Sequence, residues 1–286
     1  MASSDLPISG PLTESELGDA ETLVREAGWN QLAADWRIFL QHGTVYAVRD
    51  GMRVVATAAT LPYDGGFGWV SMVLVAGAYR RQGIAKRLLA RCIDDLVAAG
   101  IVPVLDATPA GQPLYRSLGF AEAWVFQRYA GHGLAETLTP PGGTIIRPIV
   151  GTDGTAVQAY DRAAFGADRS GVLANLRERV PQAALIAERG GRICGYLMGR
   201  DGRRATQLGP LIADDADTAL ALLARGLAAV QGPVYIDLAD SKASLRAWLT
   251  ARGFTSERPL TRMLLRHAKS FDDVTKTFAV AGPELG

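Results

Sequence analysis

The spacing of apolar residues differs on the two sides of Gly83. From Val70 to Val75 they form a short run rich in β-branched side chains, which predicts a buried strand. After Gly83 they recur at three- and four-residue steps, which predicts an amphipathic helix. These helical positions are Ile84, Leu88, Leu89, Ile93 and Leu96. A strand therefore runs through a short loop into a helix.

The pattern up to about residue 130 predicts a mixed sheet flanked by helices. Two strand-like runs surround Asp50-Gly51, a dipeptide typical of a two-residue hairpin turn. Thr13 and Glu16 have the spacing of a capping box at the start of a helix. Strands are predicted at 6–12, 44–48, 53–59, 101–106 and 123–129. The predicted fold class is therefore α/β or α+β, with a mixed and mostly antiparallel sheet.

The same order of elements returns in the second half of the chain. Glycine and proline break the periodicity at 131–143, which indicates a linker. After the linker, 207–213 corresponds to the central strand and 216–230 to the central helix. A repeat of this length indicates two copies of one domain, since solenoid repeats span about 20–50 residues. We predict domains at 1–130 and 144–267, a linker at 131–143 and a loose tail at 268–286.

The two copies differ where the central strand meets the central helix. The first copy is basic around Gly83 at 80–86, whereas the second is acidic at 214–217. The first N–H groups of a helix lack intrahelical partners and carry partial positive charge, so they stabilise an anion. The first junction therefore predicts a phosphate site, and the second predicts a helix end stabilised by its own carboxylates. The charged residues are Arg80, Arg81 and Lys86 in the first copy and Asp214, Asp215 and Asp217 in the second.

Composition narrows the classes of function. The 286 residues include 30 Lys plus Arg and 29 Asp plus Glu, so no overall basic field favours nucleic acid or an anionic membrane. Cys92, Cys194 and the three scattered histidines lack the spacing of a disulfide framework or a zinc site, so no metal is expected. No apolar run approaches about 18 residues, and the start of the chain lacks the features of a signal peptide. These observations predict a cytoplasmic protein without a membrane partner.

Two motifs resemble those of one enzyme family. Arg80-Arg-Gln-Gly-Ile-Ala85 resembles the pyrophosphate-binding loop of the GNAT superfamily of acyl-CoA-dependent N-acetyltransferases, written Gln/Arg-x-x-Gly-x-Gly/Ala. Pro113-Leu-Tyr-Arg-Ser-Leu-Gly-Phe120 is similar to the family's later helix-and-turn motif, and both occur in the family's order. A solvated basic turn on an ordinary α/β protein is the alternative interpretation of the first motif. The whole chain is similar to tandem-domain GNAT proteins, with a divergent second copy.

This resemblance implies an activity and a set of site residues. It implies N-acetyl transfer from acetyl-CoA to a primary amine of a small molecule or peptide. Tyr115 would be the general acid that protonates the CoA sulfur, a role that suits a hydroxyl that is neutral at pH 7. A backbone N–H near Val73 to Val75 would polarise the thioester carbonyl. The implied CoA-binding residues are Val73, Leu74, Val75, Arg80, Arg81, Gln82, Gly83, Ile84, Ala85 and Lys86.

Several assignments stay open between a functional and a structural role. The resemblance places the segment around Trp29 and Asn30 at the acceptor site, but Trp29 and Trp36 are equally typical of core anchors. Asp168 is the corresponding candidate in the second copy, where a salt bridge at a helix end is the alternative. No residue stands out as the general base, for which Asp64 or a water chain are alternatives. A non-catalytic acyl-CoA sensor is the alternative function, and the acceptor and oligomeric state stay open.

Overall fold

The computed structural model describes residues 6–286, which divide into two compact units. The first unit contains the described residues up to Leu105 together with Gly202–Arg204. The second contains Asp106–Asp201 and Ala205–Gly286. Each unit is a mixed, mostly antiparallel sheet with helices packed on it, which confirms the predicted fold class.

The first unit is built on five consecutive strands in chain order. Its elements are β1 (Ile8–Pro11), α1 (Leu17–Ala27), α2 (Ala33–His42), β2 (Thr44–Asp50), β3 (Arg53–Tyr63), β4 (Phe67–Val75), α3 (Ile84–Ala98) and β5 (Val102–Ala107, in this unit up to Leu105). The strands lie in the order β1-β2-β3-β4-β5. Neighbours up to β4 pair antiparallel, whereas β4 and β5 are parallel because α3 crosses back between them.

Helix α3 buries the face that the sequence pattern predicted. Ile84, Leu88, Leu89 and Leu96 are buried, and so is Cys92, which completes the same stripe. The helix packs on β3 and β4 through these residues. Burial of this stripe fixes the start of α3 against the end of β4, which is the junction where the phosphate site was predicted.

The second unit contains the rest of the chain. Its elements are α4 (Gln112–Ser117), β6 (Phe120–His132), β7 (Thr144–Pro148), α5 (Gly154–Phe165), α6 (Ser170–Arg179), β8 (Leu185–Arg189), β9 (Arg192–Arg200), β10 (Thr206–Ala213), α7 (Ala216–Ala229), β11 (Pro233–Ala239), α8 (Ala243–Thr250), β12 (Thr255–Leu265) and β13 (Thr277–Ala279). The strands lie in the order β12-β6-β11-β13-β10-β9-β8-β7. Strands β10 and β11 also pair directly, in parallel.

Strand β6 belongs by sequence to the first copy of the repeat but pairs with strands of the second. It pairs antiparallel with β11 from Phe126 to His132 and with β12 from Phe120 to Ala130. These two ladders account for the division between units at Leu105, whereas the boundary at residue 130 was drawn from the repeat. The domain limits of the two repeats therefore stay a prediction from the sequence.

The prediction of a loose tail after residue 267 is wrong. Strand β13 inserts between β10 and β11, and Phe278, Val280 and Leu285 are buried. The main-chain carbonyl of Gly286 accepts a hydrogen bond from Arg169 Nη1 at 2.8 Å. Its apolar run, from Phe278 to Ala281, is too short to show a periodicity of its own, so the sequence pattern does not reveal this strand.

The two faces of the second unit's sheet differ in character. Side chains of a strand alternate between the faces. Tyr129, Leu208 and Ile236 form an apolar core with α7 and α8. Their strand neighbours Arg128 and Gln207 are also buried but lie on the opposite face. This polar face therefore buries charged and polar side chains beside apolar ones such as Phe126 and Leu260, and a buried charge there is unfavourable without a partner.

Replacing Phe278 with Ala tests the integration of the C-terminal segment. The ring is 3% exposed, so its removal leaves a cavity and should lower the free energy of unfolding by about 3–5 kcal/mol. Urea unfolding of the full chain measures this loss. Val274→Ala is the matched control, because Val274 is 38% exposed and its truncation should change stability little. Equal effects of the two substitutions would contradict the packed arrangement.

Candidate active site

A bulge in β4 lies before the strand-to-helix junction. The β3–β4 register shifts between Thr57 and Ala59. At the bulge Met72 has a φ of 52°, a left-handed conformation that costs a non-glycine residue on the order of 1–2 kcal/mol. The Thr57 hydroxyl donates a hydrogen bond to the Met72 carbonyl oxygen at 2.9 Å and is fully buried. Thr57 therefore holds the strained backbone in place.

Strands β4 and β5 pair over only part of their length. The parallel ladder runs from Phe67↔Val102 to Trp69↔Val104, whereas β4 continues to Val75. Backbone groups of β4 beyond Trp69 that face β5 are therefore left outside this ladder. Val73, Leu74 and Val75, three of the predicted CoA-binding residues, lie in this segment.

The loop between β4 and α3 presents backbone N–H groups at the start of the helix. A 3₁₀ turn covers Gly77–Tyr79, and Arg81 and Gly83 then adopt left-handed φ values of 62° and 76°. The first intrahelical bond is donated by the N–H of Arg87 to the carbonyl of Gly83 at 3.1 Å. The N–H groups that precede it have no intrahelical acceptor. Left-handed residues in such a turn are typical of backbone nests that bind anions.

Some polar side chains around this loop are hydrogen-bonded to its backbone, and others have no partner among the described residues. Arg80 Nε donates to the carbonyl of Val75 at 3.0 Å and ties the loop to the end of β4. Gln82 Nε2 donates to the carbonyl of Ala78 at 3.3 Å. Arg81 and Lys86 are exposed, and no atom of residues 6–286 forms a hydrogen bond or ion pair with either side chain. Both positive charges are therefore available to a ligand.

The space beside Gly83 is open. A Cβ atom added there would meet nothing within 4 Å, so the positive φ and not crowding by the chain makes glycine necessary for the fold. Ala85 is exposed next to it, whereas the Ile84 side chain is buried and can offer a ligand only its backbone. Open space, unpaired N–H groups and two available cations fit a pyrophosphate group.

The corresponding junction of the second copy is closed by its own side chains. Only Asp214 and Asp215 separate β10 from α7. Asp215 Oδ1 accepts a hydrogen bond from the N–H of Thr218 at 2.7 Å and caps the helix. Asp214 Oδ1 accepts from the Tyr160 hydroxyl at 2.9 Å and from Lys276 Nζ at 3.0 Å. Carboxylates therefore occupy the helix start that a phosphate would need.

Tyr115 lies on α4, in the second unit. Its ring contacts Phe120 edge to face with 6.0 Å between centroids. A Cβ at Gly111 would lie 2.8 Å from Tyr115 Cε2, so glycine at this position leaves room for the ring. Burial raises the pKa of Tyr115 above its usual value of 10, and no group of the described chain hydrogen-bonds the hydroxyl. The phenol is therefore protonated at neutral pH and able to donate.

The predicted acceptor residues of the first copy have structural contacts. Trp36 is fully buried and is a core anchor, whereas Trp29 is half-buried. Asn30 is 4% exposed, and its carbonyl oxygen and Oδ1 accept hydrogen bonds from the N–H groups of Arg203 and Arg204 at 2.8 and 2.9 Å. Asn30 thus holds the Gly202–Arg204 segment onto the first unit. A substrate contact for Trp29 or Asn30 stays a prediction.

Asp168 lies just before the start of α6. Its Oδ1 accepts a hydrogen bond from the N–H of Ser170 at 2.7 Å, and the residue is exposed. The neighbouring Arg169 is buried and donates two hydrogen bonds to Asp161, at 2.9 and 2.8 Å. Asp161 also accepts a hydrogen bond from the Tyr196 hydroxyl. Asp161 and Arg169 therefore stabilise the second unit, while the exposed Asp168 stays a predicted substrate contact.

Asp64 lies beyond the end of β4 that is opposite the bulge. It belongs to the turn between β3 and β4, before Phe67. At about 3.3 Å per residue, the bulge at Met72 is roughly 17 Å from Phe67. Direct proton transfer from an amine near the bulge to Asp64 would need a chain of waters.

Residues 6–286 contain no metal-ligand cluster and no membrane-spanning helix. No group of three or more His, Cys, Asp or Glu side chains there could hold a metal ion. No helix there combines the length and the apolar character needed to cross a bilayer. Cys92 and Cys194 are both buried and unbridged.

Sequence reasoning missed two residues that shape this region. Thr57 fixes the bulge in β4, and Gly111 leaves room for Tyr115. Thr57 belongs to no motif because it acts on the neighbouring strand, whereas Gly111 acts on a side chain four residues along the chain through a contact that no motif describes. A buried threonine in an otherwise apolar strand was the available signal for Thr57.

Comparison with known proteins points to one family for both halves of the chain. A model described as "Acetyltransferase (GNAT) family" matches residues 13–120, and one described as "Acetyltransferase (GNAT) domain" matches residues 157–279. The chain is 26% identical over 244 residues to the uncharacterized N-acetyltransferase YitH of Bacillus subtilis (strain 168). That match covers 85% of this chain and 86% of YitH.

Solved structures share the fold over nearly the whole chain. A Pyrococcus horikoshii protein of proposed acetyltransferase activity aligns with a TM-score of 0.74 and 18% identity, covering 99% of this chain and 98% of that one. A tandem GNAT protein from the clavulanic acid biosynthesis pathway aligns with a TM-score of 0.64 and 16% identity, covering 89% and 97%. Both halves match GNAT models, and the folds agree. The chain is therefore an acetyltransferase of the GNAT family that carries two GNAT domains in tandem.

Proposed function

We propose that this protein transfers the acetyl group of acetyl-CoA to a primary amine of a small molecule or peptide, with CoA bound by the first copy. The observation that carries the proposal is the start of α3, where unpaired N–H groups meet the available charges of Arg81 and Lys86. Oxygen atoms of a pyrophosphate would satisfy both. The second copy offers Asp214 and Asp215 at the same position, and these would repel it.

The residues of the first copy would hold CoA in two stretches. The pyrophosphate would accept hydrogen bonds from backbone N–H groups at the start of α3 and lie near the charged side chains. The pantetheine arm would hydrogen-bond the part of β4 that lies outside the β5 ladder. The proposed CoA contacts are Val73, Leu74, Val75, Arg80, Arg81, Gln82, Gly83, Ile84, Ala85 and Lys86.

The chemistry is a direct attack of the amine on the thioester. The neutral amine nitrogen forms a bond to the carbonyl carbon, and the carbon–sulfur bond breaks. A backbone N–H of the Val73–Val75 stretch would stabilise the negative oxygen of the tetrahedral intermediate. Tyr115 would donate its proton to the leaving sulfur, a role supported by its protonated state and its freely available hydroxyl. A water chain would carry away the proton lost by the amine.

Replacing Gly83 with Glu should abolish CoA binding. The new carboxylate would lie beside the helix start, where it would compete with the pyrophosphate and repel it. Gly83→Ala is the matched control, because it introduces the same left-handed strain without charge, and the space for a Cβ is open. Calorimetric titration with CoA should show a loss of more than about 100-fold for G83E and a much smaller one for G83A. Equal affinities for folded G83E and the parent would contradict the assignment of the site.

Tyr115→Phe removes the proposed proton donor and keeps the ring. Turnover of acetyl-CoA with a panel of amines should fall by roughly 10²–10⁴-fold, while acetyl-CoA affinity stays nearly unchanged. Tyr79→Phe is the control, since the Tyr79 hydroxyl donates to Asp50 at 2.6 Å on the surface. Parental activity in Y115F would exclude Tyr115 as the acid. Absence of turnover in the parent with every amine, together with CoA binding, would favour an acyl-CoA sensor.

The second copy should bind no CoA. Hydrogen bonds from Tyr160 and Lys276 fix Asp214, and Asp215 caps α7, so no vacant anion site is left there. Calorimetry of the full chain with CoA should give a stoichiometry of one per chain. The G83E variant should then show no residual binding. Two sites in the parent, or one remaining in G83E, would refute a silent second copy.

A further inference from the structure

A row of polar side chains crosses the polar face of the second unit's sheet. Arg258 on β12 is directly opposite Arg128 on β6, which in turn is directly opposite Asp237 on β11. Gln207 on β10 donates a hydrogen bond to Asp237 Oδ2 at 3.0 Å and is directly opposite Arg200 on β9. Residues directly opposite each other share a face of the sheet. The row therefore runs from β12 to β9 through a buried layer.

The other arginines of this face have carboxylate partners. Arg128 donates two hydrogen bonds to Asp237, at 2.8 and 2.6 Å. Arg200 forms an ion pair with Glu284. Arg262, two residues beyond Leu260 on the same strand, donates to both oxygens of Asp106 at 3.0 Å and to Asp272 at 2.9 Å. Such pairing is what burial of a guanidinium group demands.

Arg258 is the exception. Within residues 6–286 its guanidinium group forms no hydrogen bond and no ion pair, although its Nε atom is buried. Like charges directly opposite each other on neighbouring strands are destabilising. Burial, and then the neighbouring charge of Arg128, lower the pKa of Arg258 from its usual value. The chain therefore holds this positive charge in an unfavourable place.

The carboxylates near Arg258 are either bound to other arginines or exposed. Those whose charges act on Arg258 are Asp237, Glu257 and Glu284. Asp237 is bound by Arg128, and Glu284 is bound by Arg200. Glu257 is exposed and forms no ion pair with Arg258.

We propose that Arg258 binds the carboxylate group of a small ligand. A carboxylate carries one negative charge and so matches the single charge of the unpaired Arg258 guanidinium, whereas a phosphate dianion carries two. The planar guanidinium presents Nε and Nη donors in a fork that matches two carboxylate oxygens. Arg258 is half-buried, so the fork is reachable from solvent while its surroundings strengthen the pairing. This inference does not depend on acetyl transfer.

Thermal unfolding of the full chain tests the site, with sodium acetate as the probe. Sodium chloride at equal ionic strength and inorganic phosphate are the comparison salts. Acetate well above its dissociation constant should raise the Tm of the parent by about 2–4 °C in a saturable manner. Arg258→Gln should lose this rise. Arg225→Gln, which removes an exposed arginine from α7, should keep it.

The Tm measured without acetate distinguishes a binding role of Arg258 from a structural one. Without acetate, R258Q should melt at or above the Tm of the parent, because the substitution relieves the repulsion from Arg128. A lower Tm with an unchanged acetate effect would overturn the proposal, and so would a saturable effect of phosphate alone.

If R258Q does not fold, NMR of the parent protein tests the proposal in its place. The Nε–H signal of Arg258, identified by its absence in Arg258→Lys, should move with acetate and not with chloride. A signal unmoved by acetate would overturn the site.

Discussion

The start of a helix needs acceptors for N–H groups that the helix itself cannot satisfy, and this requirement shapes both copies of the domain. In the second copy, Asp215 supplies the acceptor for α7, and Asp214 is fixed beside it by Tyr160 and Lys276. In the first copy, an eight-residue loop with two left-handed residues brings cations instead of carboxylates to the start of α3. One helix end is capped by a side chain of the protein, whereas the N–H groups at the other have no intrahelical acceptor.

Packing and hydrogen bonds around the start of α3 hold this part of the fold in place. The apolar stripe of α3 anchors the helix on β3 and β4, and Arg80 ties the loop back to Val75. The Thr57 hydroxyl compensates the left-handed Met72 one strand away. These contacts fix the loop and the start of α3 in the fold.

On the polar face of the second unit, buried positive charges are neutralised by carboxylates of the protein itself. Four buried guanidinium groups, those of Arg128, Arg169, Arg200 and Arg262, each have a carboxylate partner. Breaking such a pair leaves a buried charge and costs several kcal/mol, so these pairs constrain the second unit to one arrangement. Both the C-terminal segment and β6 contribute to them. Against this background the unpartnered Arg258 stands apart as a group that the fold alone does not require.

Features that depend on neighbours along the chain could be predicted from the amino-acid sequence. Periodicity predicted the strand, loop and helix around Gly83, the duplication and the fold class. Charge predicted the contrast between the two helix starts, with Arg81 in the first copy and Asp214 in the second. Local propensities and helix-end electrostatics act within a few residues, so a pattern records them. The family comparison confirmed the acetyltransferase assignment that the motifs implied.

Features that depend on residues distant in the chain became apparent only in the folded structure. The place of β6 between β11 and β12 and the isolation of Arg258 depend on strand pairing across more than a hundred residues. The burial of Phe278 depends on the pairing of β13 with strands about 40 to 70 residues earlier in the chain. The same holds for Asn30, whose side chain holds a segment about 170 residues away. A linear pattern cannot show which charge meets which partner, because pairing is fixed only when the sheet forms.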